Sequence, residues 1–407
     1  MSVAEPLNHV ALDVPAASES ESSSLTACET DVETPVKPRM NYVDWLRTYL
    51  TLLVIVYHVN ILVMDDSNIA LDYGTNVYKW FNLEYHGSYF MAAFFLLAGY
   101  FSTPSYNKKG AMAYLKDRFL RLMIPTIVYE LCVIPLMSYW DDPKGSLGTF
   151  MQIWFQKYKP PKSHLWFTLL LFLFDLVYVL ARVCIPALNR KLSQKQTKSQ
   201  KMFTNRYALF WSLGISLFLI LITFLLRWPF RMNFRVAIIA QVNVIGLYFF
   251  SYCFASVVYL SNALNRIPTR FGLLCHLPAL ASFLTFFVFS QANPKLYTPL
   301  RGGLNSLQLF FTSFQTLFVV FNILALIVTF RQFVNMKPNK FGKKIIGAAY
   351  TAYIIQYIVI QTFVFALAGW TPHVLIKIIL VLMPLSLICC WALSIAIKLI
   401  PGINCIL

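Results

Sequence analysis

Three uncharged stretches decide which folds are open to this chain. Residues 207–226, 236–260 and 345–368 contain no Asp, Glu, Lys or Arg, and each reaches or exceeds the roughly 20 residues a helix needs to cross a bilayer. A spanning strand is shorter and alternates in polarity. Only a helix satisfies every backbone group within one continuous apolar segment. Hydrophobic residues fill 58% of the 407 positions and charged residues 13%, which leaves too little polar surface for a soluble protein of this size. The chain reads as an all-α integral membrane protein.

About ten apolar segments follow one another in a single bundle, near 48–64, 88–103, 119–139, 165–186, 208–228, 236–260, 272–290, 304–330, 345–368 and 374–400. Ahead of them, residues 1–40 are rich in Ser, Glu, Thr and Pro and hold no apolar run that offsets the entropy of ordering, so they read as a disordered cytosolic tail. This tail also lacks the pattern of a cleavable signal peptide, which leaves targeting to the first membrane segment. Residues 41–407 form the multi-pass transmembrane domain. No fixed-period repeat appears, nor the inverted pair of broken helices frequent in secondary transporters.

The net charge of +17 is a topological signal rather than a nucleic-acid site. Its lysines and arginines sit in short loops, not in a contiguous basic domain. Lys108, Lys109, Lys116 and Arg118 follow the second segment, Arg190 to Arg206 the fourth, and Arg331 to Lys344 the eighth. The positive-inside rule then places both termini in the cytosol, with the protein in the endoplasmic reticulum or plasma membrane. Lys157, Lys159 and Lys162, and then Arg227, Arg231 and Arg235, fall on the nominally outer side. The latter trio recurs every four positions around Pro229, and reads either as an outer anion-binding patch or as side chains snorkelling to headgroups. Eight scattered cysteines lack zinc-site or disulfide spacing, and no metal site is expected.

The first segment carries Asp44, Arg47, Thr51 and His58. At about 100° per residue, Arg47 and His58 point within about 20° of one another, and Asp44 and Thr51 within about 40° of one or the other. One polar stripe therefore runs up an apolar helix. It places Arg47 at the cytosolic boundary and His58 roughly 16 Å deeper. An ionisable residue at that depth marks a functional pathway or is hydrogen-bonded to a neighbouring helix. Glu130 and Asp175, also inside apolar runs, read as partners for basic residues within the bundle, with a place in the site as the alternative. His164 reads as a structural residue at a membrane boundary.

The stretch Tyr42-Val-Asp44-Trp-Leu-Arg47, followed by His58, resembles the opening signature of the membrane acyltransferase 3 family. Phe94 to Phe101 with Gly99, Arg118-Phe-Leu-Arg121 before Pro125, His164-Leu-Trp166-Phe167, and Ala349-Tyr350-Thr-Ala-Tyr353 agree with the family in order. The resemblance implies an enzyme that moves acyl groups, often acetyl, onto sugars, lipids or secondary metabolites. It makes His58 the catalytic histidine, Arg47 its paired basic residue, and Arg118 and Arg121 a second basic pair. Many members carry a histidine where this chain has Gln356.

A mechanism fits that spacing. Acyl-CoA is anionic at its nucleotide end and carries its thioester on a long arm, so Arg47, helped by Arg118 and Arg121, is suited to hold phosphate while the arm runs toward His58. No cofactor is expected to be bound permanently. The co-substrate is acyl-CoA, with acetyl-CoA the expected form, and the acceptor is a hydroxylated small molecule, lipid or glycan. At His58 the neutral imidazole acts as general base or as acylated nucleophile, and the sequence leaves both open. Trp166, Gln308, Tyr353 and Tyr357 are the expected groove residues for the acceptor. The polar faces that carry Gln308, Tyr353 and Tyr357 are equally suited to interhelical hydrogen bonding. For Arg118 and Arg121, ordinary positive-inside topology is an equal explanation. The rival function is a transporter or flippase for a lipid or metabolite.

Overall fold

The computed structural model describes residues 40–64, 73–141, 146–156, 164–199, 201–227, 242–292, 305–370 and 372–401. The proposed tail lies outside them, as do Lys157, Lys159, Lys162, Arg231 and Arg235. Among the described residues every regular element is helical. Ten long helices follow in order: α1 (Asn41–Met64), α2 (Tyr73–Lys109), α3 (Ala111–Tyr139), α4 (Trp166–Cys184), α5 (Asn205–Arg227), α6 (Val242–Val258), α7 (Thr269–Phe289), α8 (Ser306–Phe333), α9 (Lys340–Ala366) and α10 (Val374–Ile397). Each of the ten apolar segments thus falls on a helix. Short helices at Leu147–Gln156 and Pro186–Leu192 lie between α3 and α4 and just after α4.

Nine of these helices are long and apolar enough to span a bilayer, among the described residues, and α2 is the one left out. The reason is its position. It packs along α6 and touches α1, α3, α4, α7 and α8, and a helix with many helical neighbours tolerates more polar residues. Burial separates the inner from the outer helices: 67% of the apolar window of α8 is enclosed, against 22% for α5. On α5, Phe210, Trp211, Leu217 and Leu221 face outward. Such a ridge is a liability in water and the ordinary surface of a membrane protein.

Local sequence explains how the central helices meet. A Cβ at Gly99 of α2 would lie 2.2 Å from the backbone oxygen of Tyr252, so only glycine lets α2 and α6 approach this closely. At Gly110 the chain adopts φ +76° between α2 and α3, a region that glycine enters without steric cost. Within α3, Pro125 has no N–H to offer the carbonyl of Arg121. The hydroxyl of Tyr350 on α9 donates to that carbonyl instead, at 2.5 Å, and joins the two helices. Asn305 and Asn339 cap α8 and α9, each side chain accepting a backbone N–H at 2.7 Å.

A buried polar cluster holds α2, α3, α4 and α6 in register. Asp175 of α4 is fully enclosed and accepts from Tyr114 at 2.5 Å and Tyr252 at 2.7 Å. Arg118 forms an ion pair with its other oxygen at 3.3 Å, and Ser102 sits within the same cluster. A carboxylate inside an apolar run is costly until paired, and here its partners come from three other helices, α2, α3 and α6.

Candidate functional site

The stripe read from α1 is present in the fold. Thr51 is buried, while Asp44, Arg47 and His58 are half-buried. His58 Nδ1 lies 2.8 Å from the carbonyl oxygen of Val54, one turn earlier. A carbonyl only accepts, so Nδ1 carries the proton and Nε2 the lone pair. Among the described residues nothing is hydrogen-bonded to Nε2. The imidazole is thus anchored to its own helix by one nitrogen and offers a basic nitrogen with the other.

His164 stands against this ring, with centroids 5.9 Å apart and planes nearly perpendicular. Its Nε2 is 3.0 Å from the carbonyl oxygen of Ile354 on α9, and its own carbonyl accepts the Tyr353 hydroxyl at 2.8 Å. Tyr357 stacks on the imidazole at 5.5 Å and Tyr129 meets it edge-on at 5.0 Å. By the same donor logic Nδ1 of His164 is an acceptor, and it is buried without a hydrogen-bond partner. His58, His164, Tyr129, Tyr353 and Tyr357 therefore form one aromatic, half-polar cluster where α1, α3, α9 and the entry to α4 meet.

His164, read from the sequence as a structural residue at the entry to its helix, is buried beside His58. Tyr129 was not singled out from the sequence at all. Among the expected groove residues, Tyr353 and Tyr357 pack against His164, and Trp166, two positions after His164, stacks with Tyr248 at 6.0 Å. Gln308 sits apart, buried on α8 beside Thr312. Gln356 is enclosed on α9, with neither amide atom hydrogen-bonded among the described residues.

The basic residues divide. Arg47 lies about 16 Å along α1 from His58 and places its guanidinium over the Phe101 ring at 4.8 Å. Arg118 is committed to Asp175. Arg121 is mostly exposed and pairs with Asp117 at 3.2 Å. Lys398, just beyond α10, donates to the Gly347 carbonyl at 2.6 Å, and burial together with nearby Arg121 pushes its ammonium below the usual lysine range. The fold thus gathers cationic groups from α3 and α10 at one end of the bundle. Among the described residues no cluster of His, Cys, Asp and Glu is able to hold a metal.

A bundle of long apolar helices defines a multi-pass membrane protein, with buried His164 and half-buried His58 in contact inside it. The acyltransferase 3 family model, described as an acyltransferase domain, matches residues 40–395, from the start of α1 almost to the end of α10. The chain belongs to this family and is a membrane acyltransferase. Compared with curated proteins and with solved structures, it matches none.

Proposed function

We propose that the protein transfers an acyl group, in the simplest case acetyl, from a cytosolic acyl-CoA to a hydroxyl of a carbohydrate, lipid or secondary metabolite, with His58 as catalytic base. The observation that carries this reading is the bond from His58 Nδ1 to the Val54 carbonyl, which leaves Nε2 basic within the aromatic cluster. Nε2 takes the acceptor's hydroxyl proton as the oxygen attacks the thioester carbonyl. The tetrahedral intermediate then collapses with cleavage of the C–S bond, and the departing CoA thiolate recovers the proton from Nε2. Ester and free CoA are the products.

The donor's phosphates belong at the cationic end. Arg47 is the primary ligand in this reading and Arg121 a second, mostly exposed, one. Arg118 is tied to Asp175 and acts by holding α3 in place. The buried acceptor atom of His164 and the hydroxyls of Tyr353 and Tyr357 surround the hydroxyl to be acylated. Both termini face the cytosol, on the same side as the donor.

The test is mass spectrometry of purified full-length protein incubated with isotope-labelled acetyl-CoA and a panel of sugars, sterols and polyols. The expected result is a labelled ester on at least one acceptor, dependent on His58. Movement of a solute across proteoliposomes with no labelled ester on any acceptor would replace this reading with transport.

A further inference from the structure

The cations of this bundle fall into two groups. Arg182 and Arg227 are enclosed, each 1% exposed, and donate to neutral neighbours: Arg182 to Tyr178, Asn189 and Ser193, and Arg227 to Thr312 and Gln315. Arg227 therefore turns inward to α8 and takes neither of the exterior roles read from the sequence. Arg121 and Lys398 form the other group, the first mostly exposed and the second half-buried. Both are tied to one turn of α9. The Tyr350 hydroxyl donates to the Arg121 carbonyl at 2.5 Å, and the Lys398 ammonium donates to the Gly347 carbonyl at 2.6 Å. Gly347 and Tyr350 stand at i and i+3, which makes them neighbours on the helix surface.

Helix α3 and the end of α10 thus bring a guanidinium and an ammonium to the same place. Burial and then the Arg121 charge push the Lys398 ammonium below the usual lysine range. Asp117 pairs with Arg121 at 3.2 Å, but it is shared with Lys109 at 2.9 Å, so its charge is already divided. Like charges held together favour an anion between them. There is room for one, because a Cβ added at Gly347 would meet nothing within 4 Å. The turn that holds the ammonium is open on that side. From it, Tyr350, Tyr353 and Tyr357 follow one face of α9, and the last two pack against His164. The two cations and His164 therefore stand along one helix face, about 10 Å apart in depth.

We propose that Lys398, together with Arg121, holds a phosphate of the acyl-CoA donor, which makes the end of α10 part of the donor site. This inference rests on the acyl-CoA reading above. The guanidinium offers a planar fork and the ammonium a compact point charge, and a phosphate with several free oxygens accepts from both. The Gly347 carbonyl keeps the ammonium in place before the phosphate arrives.

The experiment measures the Kd for CoA of the full-length protein in phosphatidylcholine nanodiscs. Lys398→Gln is expected to raise it about three- to tenfold, and Lys398→Arg to stay near wild type. A second pair of variants works at the open turn, where a new side chain meets nothing. Gly347→Asp sets a carboxylate beside the ammonium and is expected to raise the Kd, whereas the neutral Gly347→Asn is not. That pair isolates charge from packing and decides the matter even if Lys398→Gln does not fold. Absence of CoA binding by wild-type protein would remove the acyl-CoA reading itself. CoA binding by wild type with an equal Kd in Lys398→Gln, or equal Kd values in Gly347→Asp and Gly347→Asn, overturns this inference alone. A parallel series replaces part of the phosphatidylcholine with phosphatidylglycerol. A rise in Tm there that Lys398→Gln abolishes, with the Kd for CoA unchanged, assigns the pair to a lipid phosphate and overturns the donor assignment.

Discussion

His164 meets His58 edge to face, their ring centroids 5.9 Å apart, although 105 positions separate them in the chain. His58 is fixed through Nδ1 by its own helix and His164 through Nε2 by α9. The two rings therefore leave opposite nitrogens, Nε2 of His58 and Nδ1 of His164, as hydrogen-bond acceptors.

We predict that His164→Phe, which keeps the aromatic packing with Tyr129 and Tyr357 but loses the lone pair, lowers kcat more than it lowers Tm. One hydrogen bond to the acceptor is worth about 1 kcal/mol, so a three- to tenfold loss is expected. A fall in Tm with kcat unchanged in the surviving protein would reduce His164 to a packing residue.

For Asp175→Asn, the charge that balances Arg118 disappears while the guanidinium stays largely enclosed. Breaking one half of a buried pair costs about 3–5 kcal/mol. We predict a marked loss of thermal stability in detergent, partly recovered in the double variant Asp175→Asn/Arg118→Gln. Equal Tm values for Asp175→Asn and wild type would show that the pair contributes little.

Much of the architecture was legible because the apolar runs exceed a bilayer's thickness and because the 3.6-residue period aligns Arg47 with His58. Helix α2 shows where that logic weakens: its tyrosines and glycines match no lipid-facing pattern, since its neighbours are protein. The neighbours of His164 are hidden in the sequence for a related reason. Its local sequence is that of a helix entry, and its burial comes from Tyr129, Tyr353 and Tyr357, which lie on distant segments. Arg227 likewise stands at the end of an apolar run, where arginines ordinarily snorkel, and its partners Thr312 and Gln315 belong to another helix. Periodicity reports the face of one helix; it does not report what another helix brings to that face.

Arg47→Ala is predicted to act on the donor. A charge-assisted contact to phosphate is worth about 1.5–3 kcal/mol, so the KM for acyl-CoA is expected to rise roughly ten- to a hundredfold, with a smaller change in the KM for the acceptor. Arg47→Lys retains the charge without the guanidinium fork and is expected to fall between the two. Unchanged acyl-CoA binding alongside weakened acceptor binding would reverse the assignment.

His58 gives the sharpest prediction. Alanine is a better helix former than histidine, and the one hydrogen bond that His58 makes returns to its own helix at Val54, so His58→Ala is expected to insert and fold. A positioned general base contributes about 10² to 10⁴ in rate, so turnover is expected to drop at least about a hundredfold at matched membrane expression. His58→Gln separates chemistry from packing, because its amide is able to hydrogen-bond near Val54 but does not take up a proton near neutral pH. Both variants are therefore expected to be inactive, with Tm values close to wild type. Near-normal turnover by His58→Gln would remove the base from the mechanism and leave His58 as a residue that packs α1 against His164.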